Sequence, residues 1–262
     1  MSFRFPILMK FPHEEYTQNF AESLTFLTDQ LDHMIDLAKP LMDIPPLAML
    51  LPLAETPSYY YKAIVKVCNQ HQINWLYTAD QYQSVYVIDR ELNSMIDPLN
   101  PDVDSEKITL AHDIDSIRND NYRPSCVSEA IALVVQSAVN PHNRYGCDVV
   151  VIGRGHATKG LCDMLLSLGW TVHQFHSESN VSGMINAITC SQLLINTAPT
   201  LDEKVIIALE NSFVHHLSYV IDLPGILKSR EIELNIARYL GPNIGAITTR
   251  LLVYYYLHGG II

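Results

Sequence analysis

Residues Cys147–Ser177 read CDVVVIGRGHATKGLCDMLLSLGWTVHQFHS. Val149–Ile152 is a short, β-branched apolar run, the pattern of a strand buried on both faces of a parallel sheet. Gly153, Arg154 and Gly155 follow at once and form a turn. Leu161, Met164, Leu165 and Leu168 recur at helical spacing, Gly169 stops that helix, and Thr171–Phe175 reads as a second strand. Strand, glycine turn, helix and strand make the first half of a nucleotide-binding α/β unit.

A helix that begins at such a turn points unpaired N–H groups and a partial positive charge at it, which suits a pyrophosphate, and glycine lets the backbone come close. The glycines are Gly153, Gly155 and Gly160, so the spacing is not G-x-G-x-x-G, and a βαβ turn without a ligand fits the spacing too. An NAD site usually carries Asp or Glu at the end of the second strand, for the ribose 2′-hydroxyl. Phe175, His176 and Ser177 stand there instead, with Arg154 just after the first strand. A cation and a hydroxyl without a carboxylate suit a 2′-phosphate, so the expected cofactor is NADP; NAD stays open because Glu178 is the next residue. Thr197, after the apolar run Leu193–Asn196, joins Gly153, Arg154, Gly155, His176 and Ser177 as a candidate cofactor residue.

Working outward, Asn140–Gly146 is polar and turn-rich and forms the natural boundary between a domain of residues 1–140 and a nucleotide-binding domain of residues 141–244. Before it, Tyr16–Ala38 has the apolar spacing of a long amphipathic helix. Leu47–Leu51, Ile73–Thr78, Val85–Ile88 and Ile108–Ala111 read as strands, and Tyr59–Gln70 and Ser125–Val139 as helices, with Ser58 as an N-cap. After it, Val181–Ile188 and Glu203–Leu209 are helical, and Leu193–Asn196 and Tyr219–Asp222 are strands. Gly241–Gly245 (GPNIG) is expected to be a loop before a last apolar helix. Strands and helices alternate throughout, which predicts a two-domain α/β protein with parallel sheets.

The 262 residues suffice for one large or two modest domains with a sizeable core. A formal charge of -11 argues against nucleic acid or an anionic membrane surface as partner. The five cysteines are scattered, with no C-x-x-C pair, so neither a zinc site nor a disulfide framework is expected, and a reducing, cytoplasmic setting fits. The N-terminus lacks the pattern of a signal peptide, and the histidines have no metal-ligand spacing.

Taken together, these stretches resemble the bifunctional methylenetetrahydrofolate dehydrogenase/cyclohydrolase family. Its cofactor turn, V-I-G-R-S-x-x-V-G-x-P, is matched by Val151, Ile152, Gly153 and Arg154, with Gly155 in place of the Ser. Its next strand, ending T-V-x-x-x-H-S, is matched by Thr171, Val172, His176 and Ser177, and its later V-I-D by Val220–Asp222. Its closing P-G-G-V-G-P-M-T resembles Gly241–Thr248, with Gly245 and Thr248 retained. Pro45, Leu47 and Ala48 fit its P-x-L-A, and Ser58 and Tyr61 its S-x-x-Y. Asp113–Ser116 resembles its D-V-D-G, and Pro124–Cys126 its P-C-T-P.

The resemblance implies a folate-binding N-terminal domain to which a C-terminal helix, residues 245–262, returns, and a homodimer formed through the cofactor domain. It implies that Ser58, Tyr61, Asp115, Gly245 and Thr248 line a folate site. Two departures stand out. The family has a Lys four residues after the Tyr, where this chain has Val65, or Ile64 if Tyr60 takes the Tyr position; Lys62 and Lys66 lie at the wrong helical angle in either case. Asp89 stands where the family has a Gln. The Lys and Gln serve the family's cyclohydrolase step, so the expectation is an NADP-dependent dehydrogenase with weak or lost cyclohydrolase, its catalytic candidates being Tyr61, Asp115 and Asp89. Bland readings stand beside these: Tyr61 as aromatic packing, Asp115 as a turn cap, Asp222 as a helix N-cap, Asp89 as a solvated carboxylate. A relative repurposed for another folate-linked molecule, or a non-catalytic binding protein, also fits the sequence, since fold does not fix function.

Overall fold

The computed structural model describes residues 20–39, 47–50, 59–78, 86–88, 114–116, 122–138, 148–210, 217, 219–229 and 237–258. The expected strand Ile108–Ala111, Ser58 and Asp89 lie outside them. The chain divides into two compact units. Described residues of 25–130 and 245–258 form the first, and those of 20–24 and 131–244 the second.

The second unit is a five-stranded parallel sheet of β4 (Asp148–Ile152), β5 (Thr171–Phe175), β6 (Leu193–Asn196), β7 (Tyr219–Asp222) and β8 (Ala237–Leu240), in the order β5-β4-β6-β7-β8. Chain order thus reverses beside β4: β5 lies on one side of it and β6 on the other. Val150, Ile152, Leu194 and Val220 face a core that Met184 and Ile188 of α5 (Val181–Cys190) share with Val205, Ile206 and Leu209 of α6 (Glu203–Glu210). The alternate residues Val149, Val151 and Ile195 are buried as well, so the strands are covered on both faces, which explains their unbroken apolar runs. Helix α4 (Leu161–Ser167) packs against β5.

Three local expectations change. The helix after the glycine turn does not start there: a 3₁₀ turn, His156–Thr158, intervenes, and Gly160, at φ 75°, leads into α4. The GPNIG segment is helix, not loop, because α8 runs from Gly241 to Leu257. Pro242 suits the first turn, where its fixed φ helps and its missing N–H costs nothing. Strand β8 and the short helix α7 (Ile226–Ser229) were not expected.

In the first unit a parallel sheet has the order β2-β1-β3, from β1 (Leu47–Leu50), β2 (Trp75–Thr78) and β3 (Tyr86–Ile88). Its helices are α1 (Phe20–Ala38) from residue 25, α2 (Tyr59–Gln70), the first five residues of α3 (Cys126–Ala138), and α8 from residue 245; the rest of α3 belongs to the second unit. Leu27, Leu31 and Ile35, spaced along one face of α1, are buried, as are Ile64, Val67 and Cys68 of α2. Polar ties join these helices. Arg250 on α8 donates from Nε and Nη2 to the two oxygens of Asp32 on α1, at 2.8 and 3.0 Å. His71, buried just after α2, has its ring nitrogens 2.9 Å from Asp32 and from Asp36. Burial alone would raise the Asp32 pKa, but hydrogen bonds from Arg250 and His71 outweigh it and hold the carboxyl below its usual range. No described helix is long and apolar enough to cross a membrane.

Candidate functional site

Parallel register brings the carboxyl ends of the second unit's strands level. Ile152 pairs with Phe175 on one side and with Asn196 on the other, and Asn196 pairs with Asp222. The residues that follow, Gly153, His176 and Thr197, therefore emerge side by side where the chain order reverses, the place at which open α/β sheets bind ligands. A cleft of about 340 Å³ opens there, at the small end of the usual ligand-pocket range. Gly153, Arg154, His176, Ser177 and Thr197 all line it, together with Asp202.

Gly153 is fixed by geometry. Its φ is 128°, and a Cβ there would overlap Thr197 Oγ1. Its N–H donates to Phe175 O at 2.8 Å, and Thr197 Oγ1 donates to Ile152 O at 3.1 Å, so the loops beyond β4, β5 and β6 are knit to one another. Gly155 also has a glycine conformation, φ 143°, but it is exposed and is not part of the cleft wall. Its N–H is taken up by Thr158 Oγ1 at 3.1 Å. The inserted 3₁₀ turn thus consumes an amide that the expected helix start would have aimed at a phosphate.

The wall contributed by β5 is a tight turn. His176 N–H donates to Ser179 Oγ and Ser179 N–H to His176 O, both at 2.9 Å. Glu178 N–H donates to His176 Nδ1 at 3.3 Å, which leaves the ring proton on Nε2. Arg154 reaches across from the end of β4 to Glu178 Oε2 at 3.3 Å.

Beneath the cleft lies a polar pair that sequence reasoning noticed only in half. Asn196 and Asp222 are fully buried. Asn196 Nδ2 donates to Asp222 Oδ1 at 3.0 Å, Asp222 Oδ2 accepts from Leu227 N–H at 2.9 Å, and Asn196 Oδ1 accepts from Ala198 N–H at 3.1 Å. Asp222 therefore caps α7 and steadies the loop carrying Thr197 and Ala198, rather than reaching the cleft. The sequence signal was the polar residue closing each of two apolar runs, LLIN and YVID.

The residues expected to hold folate belong to the first unit. Tyr61 is on α2; Val65, one turn along, is half-buried, Ile64 is in the core, and Lys62 and Lys66 are exposed. Asp115 is buried, and its Oδ1 accepts from Cys126 N–H at 3.2 Å, which makes it an N-terminal cap of α3. Ser116, where the resembling motif has Gly, keeps a left-handed φ of 56°. Gly245 and Thr248 lie on α8, Thr248 buried and Gly245 with open space where a Cβ would stand.

A second buried acid escaped the sequence. Glu129, in the first turn of α3, meets Tyr255 of α8, whose hydroxyl lies 2.6 Å from both carboxylate oxygens. Burial pushes the Glu129 carboxyl up to about 7 against the lowering effect of that hydrogen bond. Burial, and then the Glu129 charge, drive the Tyr255 phenol well above its usual range. The partners are 126 residues apart, so no local pattern announces them.

Solved structures give the architecture a name. A 5,10-methylenetetrahydrofolate dehydrogenase from the silkworm Bombyx mori superposes with a TM-score of 0.64 at 14% identity, over 92% of this chain and 96% of that one. The bifunctional methylenetetrahydrofolate dehydrogenase/cyclohydrolase of Campylobacter jejuni gives 0.65 at 15% identity, over 92% and 97%. The dehydrogenase-cyclohydrolase of Trypanosoma brucei, solved with NADP and an inhibitor, gives 0.63 at 14% identity, over 90% and 94%. This chain has their two-domain fold. No protein-family model matches the sequence, and no curated protein matches it. The likeness is thus one of architecture, spanning nearly the whole length of each of these dehydrogenases.

Proposed function

We propose that the chain is a nicotinamide-dinucleotide-dependent oxidoreductase of one-carbon metabolism, oxidising 5,10-methylenetetrahydrofolate to the methenyl form with weak or lost cyclohydrolase activity. The observation that carries this reading is the convergence of Gly153, Arg154, His176, Ser177 and Thr197 on one cleft at the strand-order reversal, in a fold shared with dehydrogenases of that reaction. The residues fit a dinucleotide. Gly153 allows close approach, Arg154 carries positive charge, and the Ser177 hydroxyl and His176 Nε2 are available to ribose or phosphate oxygens.

When bound, the nicotinamide supplies the hydride acceptor: the C–H bond of the folate methylene breaks, its electron pair leaves with the hydrogen, and the methenyl cation remains. The protein's task is positioning and charge. In this reading Tyr61, Ser58, Gly245 and Thr248 line the folate site, Asp115 holds the pterin, and Asp89 takes the place of a neutral amide. The family's homodimer and a cytoplasmic location go with the same reading. A position without Lys spares hydride transfer, which needs no proton relay at that carbon, and weakens the hydrolytic step, which does.

Formation of reduced nicotinamide on mixing protein, 5,10-methylenetetrahydrofolate and NAD or NADP tests the proposal; absence of turnover with either cofactor would defeat it. Joint replacement Val65→Lys with Asp89→Gln is expected to raise methenyl hydrolysis above background, and no change in a folded variant would mean that the site has diverged beyond those positions. A second reading, a non-catalytic binding protein, has one observation in its favour: the amides of Gly153 and Gly155 already have partners within the chain. Folate or dinucleotide binding without turnover would select it.

A further inference from the structure

The charges around the cleft do not match the cofactor that Arg154 and Ser177 suggest on their own. Arg154 reaches Glu178 Oε2 at 3.3 Å. Glu178 stands between Ser177 and Ser179, which both line the cleft, on a turn whose backbone is held by the hydrogen bonds between His176 and Ser179. The Glu178 N–H donates to His176 Nδ1 at 3.3 Å, and Glu178 Oε2 lies 3.9 Å from the same nitrogen, so Glu178 is held against the imidazole as well as against Arg154. Asp202, which also lines the cleft and whose Oδ1 accepts from Lys204 N–H at 2.8 Å, adds a second carboxylate. Arg154 is thus paired with Glu178, and Asp202 brings a further carboxylate to the same cleft.

We propose that Glu178 is the specificity-determining residue of this cleft, and that it selects the unphosphorylated ribose of NAD over the 2′-phosphate of NADP. The inference rests on the dinucleotide reading given above. A ribose 2′-hydroxyl donates to the Glu178 carboxylate, which Arg154 holds in place at 3.3 Å, while Ser177 and His176 Nε2 remain for the neighbouring hydroxyl. A 2′-phosphate carries about −1.5 to −2 charges at neutral pH. To bind Arg154 it has to displace Glu178 and then lie beside it, like charge against like charge. Discrimination comes from this repulsive element, and the attraction to Arg154 is already satisfied within the chain. The side chains of Arg154 and Glu178 are 61% and 70% exposed, so the pair sits where an incoming ribose meets it without unfolding the loop. On this proposal NAD takes the place of NADP, the cofactor that Arg154 and Ser177 suggest alone.

The test is calorimetric titration of the whole chain, and of Glu178→Gln and Glu178→Ala, with NAD and with NADP, each variant first checked for an unchanged melting curve. The wild type is expected to bind NAD about tenfold or more tightly than NADP, and removal of the Glu178 charge is expected to narrow or invert that ratio through a gain in NADP affinity of about tenfold. Glu178→Ala is expected to lose NAD affinity as well, since it removes the acceptor. Tighter binding of NADP by the wild type, or a ratio that both variants leave unchanged, would overturn the proposal. If neither cofactor binds any form, the dinucleotide reading itself fails and takes this one with it. If NAD binds and the ratio shifts while methylenetetrahydrofolate is not turned over, only the substrate assignment fails.

Discussion

In the unit of residues 131–244 the polar side chains stand at strand ends around an open cleft, with one buried pair, Asn196 and Asp222, beneath them. In the unit of residues 25–130 and 245–258 they lie between helices and bind one another: Asp32 with Arg250, His71 with two carboxylates, Glu129 with Tyr255. The first arrangement leaves groups with spare hydrogen-bonding capacity facing solvent, which a ligand can use. The second spends that capacity on holding helices together. On the proposed function a charged residue therefore means different things in the two units: near the cleft it serves recognition, and between the helices stability.

Breaking the contrast at its sharpest point means adding one carbon to Gly153. Gly153→Ala forces a Cβ onto Thr197 Oγ1 at a backbone φ of 128° and should cost about 4 kcal/mol of stability, read by chemical denaturation, along with all dinucleotide binding. An unchanged midpoint would mean that the two loops are not knit as described.

The helical unit should show itself in pH dependence. The Glu129 carboxyl is raised from 4.5 to about 7, so the folded state holds its proton more tightly than the unfolded chain does. The stability it contributes is complete below pH 4.5 and is lost as pH rises through about 7. The loss should be on the order of 3 kcal/mol. Glu129→Gln should abolish that fall, and a variant whose profile matches the wild type would remove Glu129 from the account.

The smallest effect concerns the tie between α1 and α8. Arg250→Met should destabilise by about 2 kcal/mol, because the half-buried Asp32 loses its bidentate partner while keeping Gln70 and His71. The Asp32 pKa is lowered in the folded state, so its contribution is present above the ordinary carboxylate range and is lost as pH falls through the folded value. The variant's deficit should accordingly shrink in acid. A deficit independent of pH would point to lost packing by the Arg250 stem instead.

What the sequence disclosed follows the same division. Strands β4, β6 and β7 were legible because burial writes itself as an unbroken apolar run, and Gly153 because a glycine after such a run marks a turn. Strand β8 was not: ARYL is no apolar run, and its pairing with β7 alone makes it a strand. The helical start at Gly241 read as a loop because Gly, Pro and Asn are turn formers in local terms, although Pro in a first turn is also a helix signal. The 3₁₀ turn at His156–Thr158 carries neither Gly nor Pro and gave no warning. In the candidate site, Gly153, Arg154, His176, Ser177 and Thr197 were each readable at a strand end, but the Arg154–Glu178 pair depended on register, which no single stretch states. Glu129 and Tyr255 meet only through the tertiary fold.

The central claim is that the cleft at the ends of β4, β5 and β6 is the dinucleotide site. Amide hydrogen exchange with and without saturating NAD addresses it most directly. Slowed exchange confined to the loops at 153–155, 176–179 and 197–202, with the helices of residues 25–130 unchanged, is the predicted result. Protection elsewhere with those three loops unaffected, or no protection at any cofactor concentration, would contradict it.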